Sequence, residues 1–99
     1  MVRFPAPLRT VREEPEFGAD LWTIFRSVAP NPQLLDEMLN GIVFALARDP
    51  RIGARIMSTT IWAIPVDLPP VGRSILIYYE FDEDRVLLRG ATERRQASP

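Results

Sequence analysis

The chain has 99 residues, 46% apolar and 25% charged, which is enough for one hydrophobic core and too few for two. It contains no cysteine and no histidine. That excludes a disulfide framework, a thiolate zinc site, a cysteine nucleophile and a Ser-His-Asp triad. A net charge of −1 and an isoelectric point near 5.4 argue against a strongly nucleic-acid-binding protein. All twelve basic residues are nonetheless arginine. Arginine without lysine fits either a GC-rich coding sequence or selection for planar donors that grip phosphate or carboxylate with two N–H groups. No apolar run approaches the roughly 18 residues of a membrane span, and no basic-then-apolar leader opens the chain. One cytoplasmic domain over 1–99 is the expectation.

Met1–Arg12 carries Pro5 and Pro7, so it is expected to be an extended arm, with a short edge strand near Leu8–Arg12. Glu13, Glu14 and Glu16 surround Pro15 and mark a helix start, where proline fits the first turn and carboxylates face the positive dipole end. Phe17, Leu21, Ile24, Phe25 and Val28 then form one apolar stripe ending before Pro30. Asn31-Pro32 opens a second helix with the stripe Leu35, Met38, Leu39, Ile42 and Leu46. Leu34 and Val43 widen that stripe and predict deeper burial than for the first helix. Gly41 costs this helix about 1 kcal/mol against alanine, which suggests the close approach of a neighbouring element. Asp49-Pro50 stops the helix, and the short link between the stripes predicts an antiparallel helical hairpin.

Arg51–Thr60 reads as a connection with Gly53 as a hinge, and Arg48, Arg51 and Arg55 make it the densest basic stretch. Thr59–Val66 reads as a strand, Asp67–Gly72 as a loop and Glu93–Pro99 as a polar tail. Arg73–Ala91 holds two β-rich runs around an acidic turn, the pattern of a β-hairpin. With Glu83-Asp84 as the turn, Phe81 faces Val86 and Tyr79 faces Leu88. Ile75, Ile77, Tyr79, Phe81, Val86, Leu88 and Gly90 then share the core face. Leu76, Tyr78, Glu80, Arg85, Leu87, Arg89 and Ala91 share the other.

The predicted fold class is α+β: an antiparallel helical hairpin on one face of a three- to four-stranded antiparallel sheet. Leu46-Ala47-Arg48-Asp49-Pro50-Arg51-Ile52-Gly53 and the strand–turn–strand Ile75–Leu88 carry a family likeness. On these residues the chain resembles the RelE/ParE superfamily, the toxins of type II toxin–antitoxin (plasmid stabilisation) systems. The likeness spans Leu34 to Arg95.

The resemblance implies a toxin neutralised by an antitoxin protein, aimed at ribosome-bound messenger RNA or at DNA gyrase, with a homodimer as an open alternative. No cofactor, metal or membrane enters the expectation. In the ribonuclease branch, basic residues on the open sheet face orient the 2′-hydroxyl and stabilise the phosphorane. Carried over, those roles fall on Arg73 and on Arg95 or its neighbour Arg94. Tyr78, Arg85, Arg89 and Arg94 are the remaining candidates for partner contact. No tyrosine or histidine follows Arg95, so the family's usual general acid has no counterpart. The gyrase-type branch needs no catalytic set. A non-toxic interaction module that keeps the fold is the alternative from another class. Sheet arginines are expected to matter more than Arg3, Arg9 and Arg12 on the proline-interrupted arm, while Arg85 and Arg89 could simply pair with Glu80 across the hairpin.

Overall fold

The computed structural model describes residues 8–28, 32–68 and 73–95; at Ser27, Val28, Pro32, Leu34, Leu35, Leu68, Arg73 and Arg95 it describes the backbone only. The arm residues 1–7, the cap Asn31, the 69–72 loop and the tail 96–99 lie outside these residues. In chain order the elements are β1 (Thr10–Glu13), α1 (Pro15–Val28), α2 (Pro32–Arg48), a 3₁₀ turn (Pro50–Ile52), β2 (Ala54–Arg55), β3 (Trp62–Leu68), β4 (Arg73–Phe81) and β5 (Arg85–Arg95). The fold is α+β.

Five strands form one sheet in the order β1-β5-β4-β3-β2. The sheet is mixed, not the three- to four-stranded antiparallel one expected, because β1 runs parallel to β5, with Val11 opposite Val86. A parallel pair cannot be closed by a tight turn; it needs a long crossover. β1 is a four-residue edge strand and β2 has two residues, too short for either to show alternation in the sequence. Only Trp62 and Ala63 of β3 pair with β2. Beyond them Pro65 sits exposed on the sheet edge, where its missing N–H costs no ladder bond.

Both helices cover one face of the sheet. Phe17, Leu21 and Ile24 of α1 and Leu46 of α2 are buried against Val66, Ile75, Ile77, Tyr79, Val86, Leu88 and Ala91. α1 lies along β5, whereas α2 meets β1, β5 and the 3₁₀ turn. Among the described residues each helix contacts the sheet more than it contacts the other helix, so the antiparallel hairpin is not the organising contact. Among the described side chains of α2, Leu46 and Ala47 are buried and Met38, Leu39, Ile42 and Val43 half-buried, whereas α1 buries Phe17, Leu21 and Ile24. Stripe width records apolar surface, not how much sheet lies beneath it.

The β4–β5 hairpin has the expected turn and pairing through Tyr79–Leu88. Asp82 shapes the turn, its Oδ1 accepting the Asp84 and Arg85 amides at 2.8 and 2.9 Å. The register then shifts at Tyr78/Tyr79, where Tyr78 pairs with Gly90 and Arg89 is the extra residue of a β-bulge. Ala91, not Gly90, therefore enters the core. The Ala91 N–H is accepted by Asp20 Oδ2 of α1 at 3.0 Å, so the helix satisfies the amide at the bulge. β5 continues to Arg95, so Glu93–Arg95 are strand and not tail.

Tyr79 is fully buried, yet its hydroxyl is satisfied. It donates to the Pro50 carbonyl at 2.6 Å and accepts the Gly53 N–H at 3.2 Å. Burial raises its pKa above the ordinary tyrosine value. Gly53 is glycine for space: a Cβ there would strike the Tyr79 hydroxyl and lie 2.6 Å from the Ala63 carbonyl oxygen. Gly41, in contrast, has open space where a Cβ would be, so no close approach explains it. The two glycines should respond oppositely to alanine in chemical denaturation. Gly53→Ala should destabilise by about 1–3 kcal/mol through overpacking, and Gly41→Ala should stabilise by about 1 kcal/mol through helix propensity.

Candidate functional site

No described helix covers the face of the sheet away from α1 and α2. β4 contributes Leu76, Tyr78 and Glu80, while β5 contributes Arg85, Leu87, Thr92 and Arg94. β1 adds Thr10 and Arg12, opposite Arg85 and Leu87. Alternation along paired strands explains the set, since residues two apart share a face and β5 regains its phase after the bulge.

Arg73 and Arg95 come together as cross-strand neighbours with Arg94 beside Arg95, whereas Arg85 and Arg89 lie toward the hairpin turn. Arg85 and Arg94 stand at opposite ends of β5, on the order of 25–30 Å apart at strand rise. Arg85 Nε lies 3.4 Å from Asp82 Oδ2, and Arg89 Nε lies 3.8 Å from Glu80 Oε1. Glu80 Oε2 also accepts the Thr60 hydroxyl at 3.2 Å. The carboxylate partner of Arg85 is thus Asp82 of its own turn, and only Arg89 pairs with Glu80. Tyr78 shares a 3.1 Å hydrogen bond between its hydroxyl and that of Thr92. Arg94 is exposed, and its backbone carbonyl accepts the buried Ser74 hydroxyl at 3.3 Å. Arg73 and Arg95 are cross-strand neighbours at the far end of the β4–β5 ladder; their side chains lie outside the described residues.

Two shallow depressions flank this set. One of about 250 Å³ is lined by Thr60, Glu80, Phe81, Asp82, Arg85 and Leu87. The other, of about 220 Å³, lies among Glu14, Pro15, Glu16 and Arg89. Both are smaller than the ~300–1,000 Å³ typical of small-molecule sites. Among the described residues no group of three or more carboxylates could hold a metal ion, and no helix is long and apolar enough to cross a membrane.

No protein-family model matches this chain, and no curated protein matches it. Geometry therefore has to carry the functional argument.

A second group of arginines was not anticipated in this form. Arg9, expected to ride on a loose arm, is held at three points. Its N–H donates to the Ala47 carbonyl at 3.0 Å, its Nε donates to the Asp82 carbonyl at 2.8 Å, and its guanidinium lies 5.9 Å from the centre of the Phe81 ring. Arg51 lies 5.6 Å from the same ring. Phe81 in turn meets Trp62 edge-on at 5.2 Å, so Trp62 closes the seam of the core here. The densest basic stretch pointed toward Arg51, but nothing local to Arg9 points to a partner that lies more than seventy residues away.

The two backbone hydrogen bonds that Asp82 accepts hold its carboxyl below the ordinary aspartate range, with Arg85 adding a smaller effect. A depressed carboxyl contributes stability that is present above its unfolded pKa and lost as pH falls through the folded one. Amide protection at Asp84 and Arg85 should therefore weaken as pH drops below about 4, and Asp82→Asn should flatten that dependence. Exposure limits the Arg89–Glu80 pair. A double-mutant cycle with Arg89→Ala and Glu80→Ala should return a coupling of about 0–1 kcal/mol.

Proposed function

We propose that this chain acts by binding another protein rather than by chemistry of its own. One observation carries the reading: among the described side chains of the open sheet face, Arg85 and Arg89 face carboxylates and Arg94 stands at the other end of β5. Cleavage of an RNA strand through its 2′-hydroxyl needs a base, a charge stabiliser and an acid around one phosphorus, within about 3 Å of the reacting atoms. The chain has no histidine, lysine or cysteine to serve. Arg85 and Arg89 already face Asp82 and Glu80, which would repel a phosphate.

Binding asks for less. A broad sheet face bearing half-buried Leu76, Tyr78 and Leu87 between arginines has the composition of a protein contact, in which aromatic residues and arginine are enriched. The toxin resemblance is retained in its protein-binding form, with an antitoxin-like partner and a target such as gyrase. A non-toxic module of the same fold uses the same surface.

Expression in bacteria with and without the neighbouring reading frame tests the proposal when growth and messenger RNA integrity are followed together. The expected result is intact messenger RNA at high expression, with the neighbour's product co-purifying with the chain. Growth arrest under those conditions would place the chain on the toxin side of the reading, and normal growth on the module side. Messenger RNA cleavage abolished by Arg94→Ala, Arg73→Ala or Arg95→Ala would overturn the proposal.

A further inference from the structure

We infer that the corner where β1 begins, α2 ends and the β2–β3 hairpin turns is a docking surface for an acidic, apolar segment of a partner protein. The inference rests on the protein-binding reading and supplies it with a surface and a partner chemistry.

Six large hydrophobic residues are markedly exposed among the described residues, and five of them belong to this corner: Leu8, Phe44, Ile52, Ile56 and Met57. Scattered apolar residues are ordinary on a surface, but a group of them is not. They lie along one end of the sheet, from the start of β1 on one edge to the end of β2 on the other, four strand spacings or about 19 Å apart. The Arg9–Ala47 backbone bond joins the start of β1 to the end of α2, and Tyr79 holds the 3₁₀ turn that follows α2. The β2–β3 hairpin, tied by the Ile56–Ile61 backbone bond, forms the other end of this strip and carries Met57, 86% exposed, next to Ser58 at φ 63°.

Four of these five apolar positions have an arginine beside them. Leu8 adjoins Arg9, Ile52 adjoins Arg51 and Ile56 adjoins Arg55. Phe44 has the Arg48 guanidinium 5.8 Å from its ring centre. Unlike Arg85 and Arg89, none of Arg9, Arg48 and Arg51 is in an ion pair among the described residues. The negative carboxylates of Asp49 and Asp82 stand nearby, with an oxygen of each turned to backbone amides, that of Arg51 for Asp49 and those of Asp84 and Arg85 for Asp82. The partner's carboxylates must therefore approach from the side of the guanidiniums. A guanidinium stacked on a ring is already ordered and still has in-plane N–H groups to offer a carboxylate. Pre-ordering lowers the entropy lost on binding.

The partner's chemistry follows from this charge. Carboxylates must meet Arg9, Arg48 and Arg51, and apolar side chains must cover Ile52, Ile56 and Met57. Nucleic acid fits poorly, because aliphatic and methionine side chains give bases nothing to stack on and the chain as a whole is negative. A second copy fits poorly as well, because a two-fold contact of this patch with itself would set arginine against arginine.

A library of random dodecapeptides displayed on phage, panned against the full chain, tests the inference. The enriched peptides should interleave Asp or Glu with Leu, Ile, Phe or Met. Their binding should weaken about tenfold or more for Arg48→Gln with Arg51→Gln, and likewise for Met57→Ser with Ile52→Ser. Thermal melting of Met57→Ser should not change, which separates lost contact from lost fold. Tyr78→Ala with Arg94→Gln, on the open sheet face, should leave peptide binding intact. Peptides lost on that open-face variant but kept by the corner variants would overturn the corner and leave protein binding standing. Tighter binding of a single-stranded oligonucleotide or of phosphatidylserine vesicles than of any enriched peptide would overturn the inference. So would enrichment of basic or purely apolar peptides. No enrichment would also overturn it, and if the neighbour's product failed to bind too, the protein-binding reading would fall with it.

Discussion

The buried hydroxyl of Tyr79 is the constraint on which the rest of this arrangement depends. A phenol at zero exposure must find partners, because an unpaired buried hydroxyl costs about 1–3 kcal/mol. It finds them in the Pro50 carbonyl and the Gly53 amide, both on the turn that follows α2. That choice sets the direction in which the chain leaves the helix. It requires glycine at 53, because Tyr79 and the Ala63 carbonyl fill the space a side chain would take. It also seats β2 beside β3 and holds Arg51 over Phe81. One central strand thus fixes a peripheral turn, and the turn places the exposed arginines and aliphatic residues around it.

The two faces of the sheet divide the work. One is closed by α1 and the end of α2 and contains the core. The other is open, with its arginines at 85 and 89 matched by carboxylates within the hairpin. Exposed ion pairs of that kind add little stability and leave little unspent attraction for a ligand. The surface beyond the sheet has a different character, with cations ordered on aromatic rings and, among the described residues, in no ion pair, next to exposed apolar side chains. Such a surface is suited to binding.

How much of this was legible in the sequence varies with range. The hairpin turn, the Tyr79–Leu88 pairing and the buried stripe Phe17, Leu21, Ile24 follow from local periodicity, and the structure has them. The bulge at Arg89 left no local signal, and the carboxylate that satisfies the amide beside it, Asp20, stands on a helix seventy-one residues before Ala91. β1 was legible as extended but not as parallel, since four residues carry no record of their neighbour. Arg9 illustrates the same limit for the candidate site. A proline-rich context suggested looseness, while its three anchors come from Ala47, Phe81 and Asp82. Composition named arginine as the reactive type, but only tertiary contacts separate arginines that are already paired from those that are not.

The central claim is that Tyr79 holds the turn and thereby the corner. Amide hydrogen exchange compared between the parent chain and Tyr79→Phe tests it most directly. Protection at Gly53 should fall about tenfold or more, with Ile52 loosened too, while the β4–β5 amides at Ile77 and Val86 keep theirs relative to global stability. Unchanged protection at Gly53 in Tyr79→Phe would contradict it, because the turn would then be held by something other than this hydroxyl.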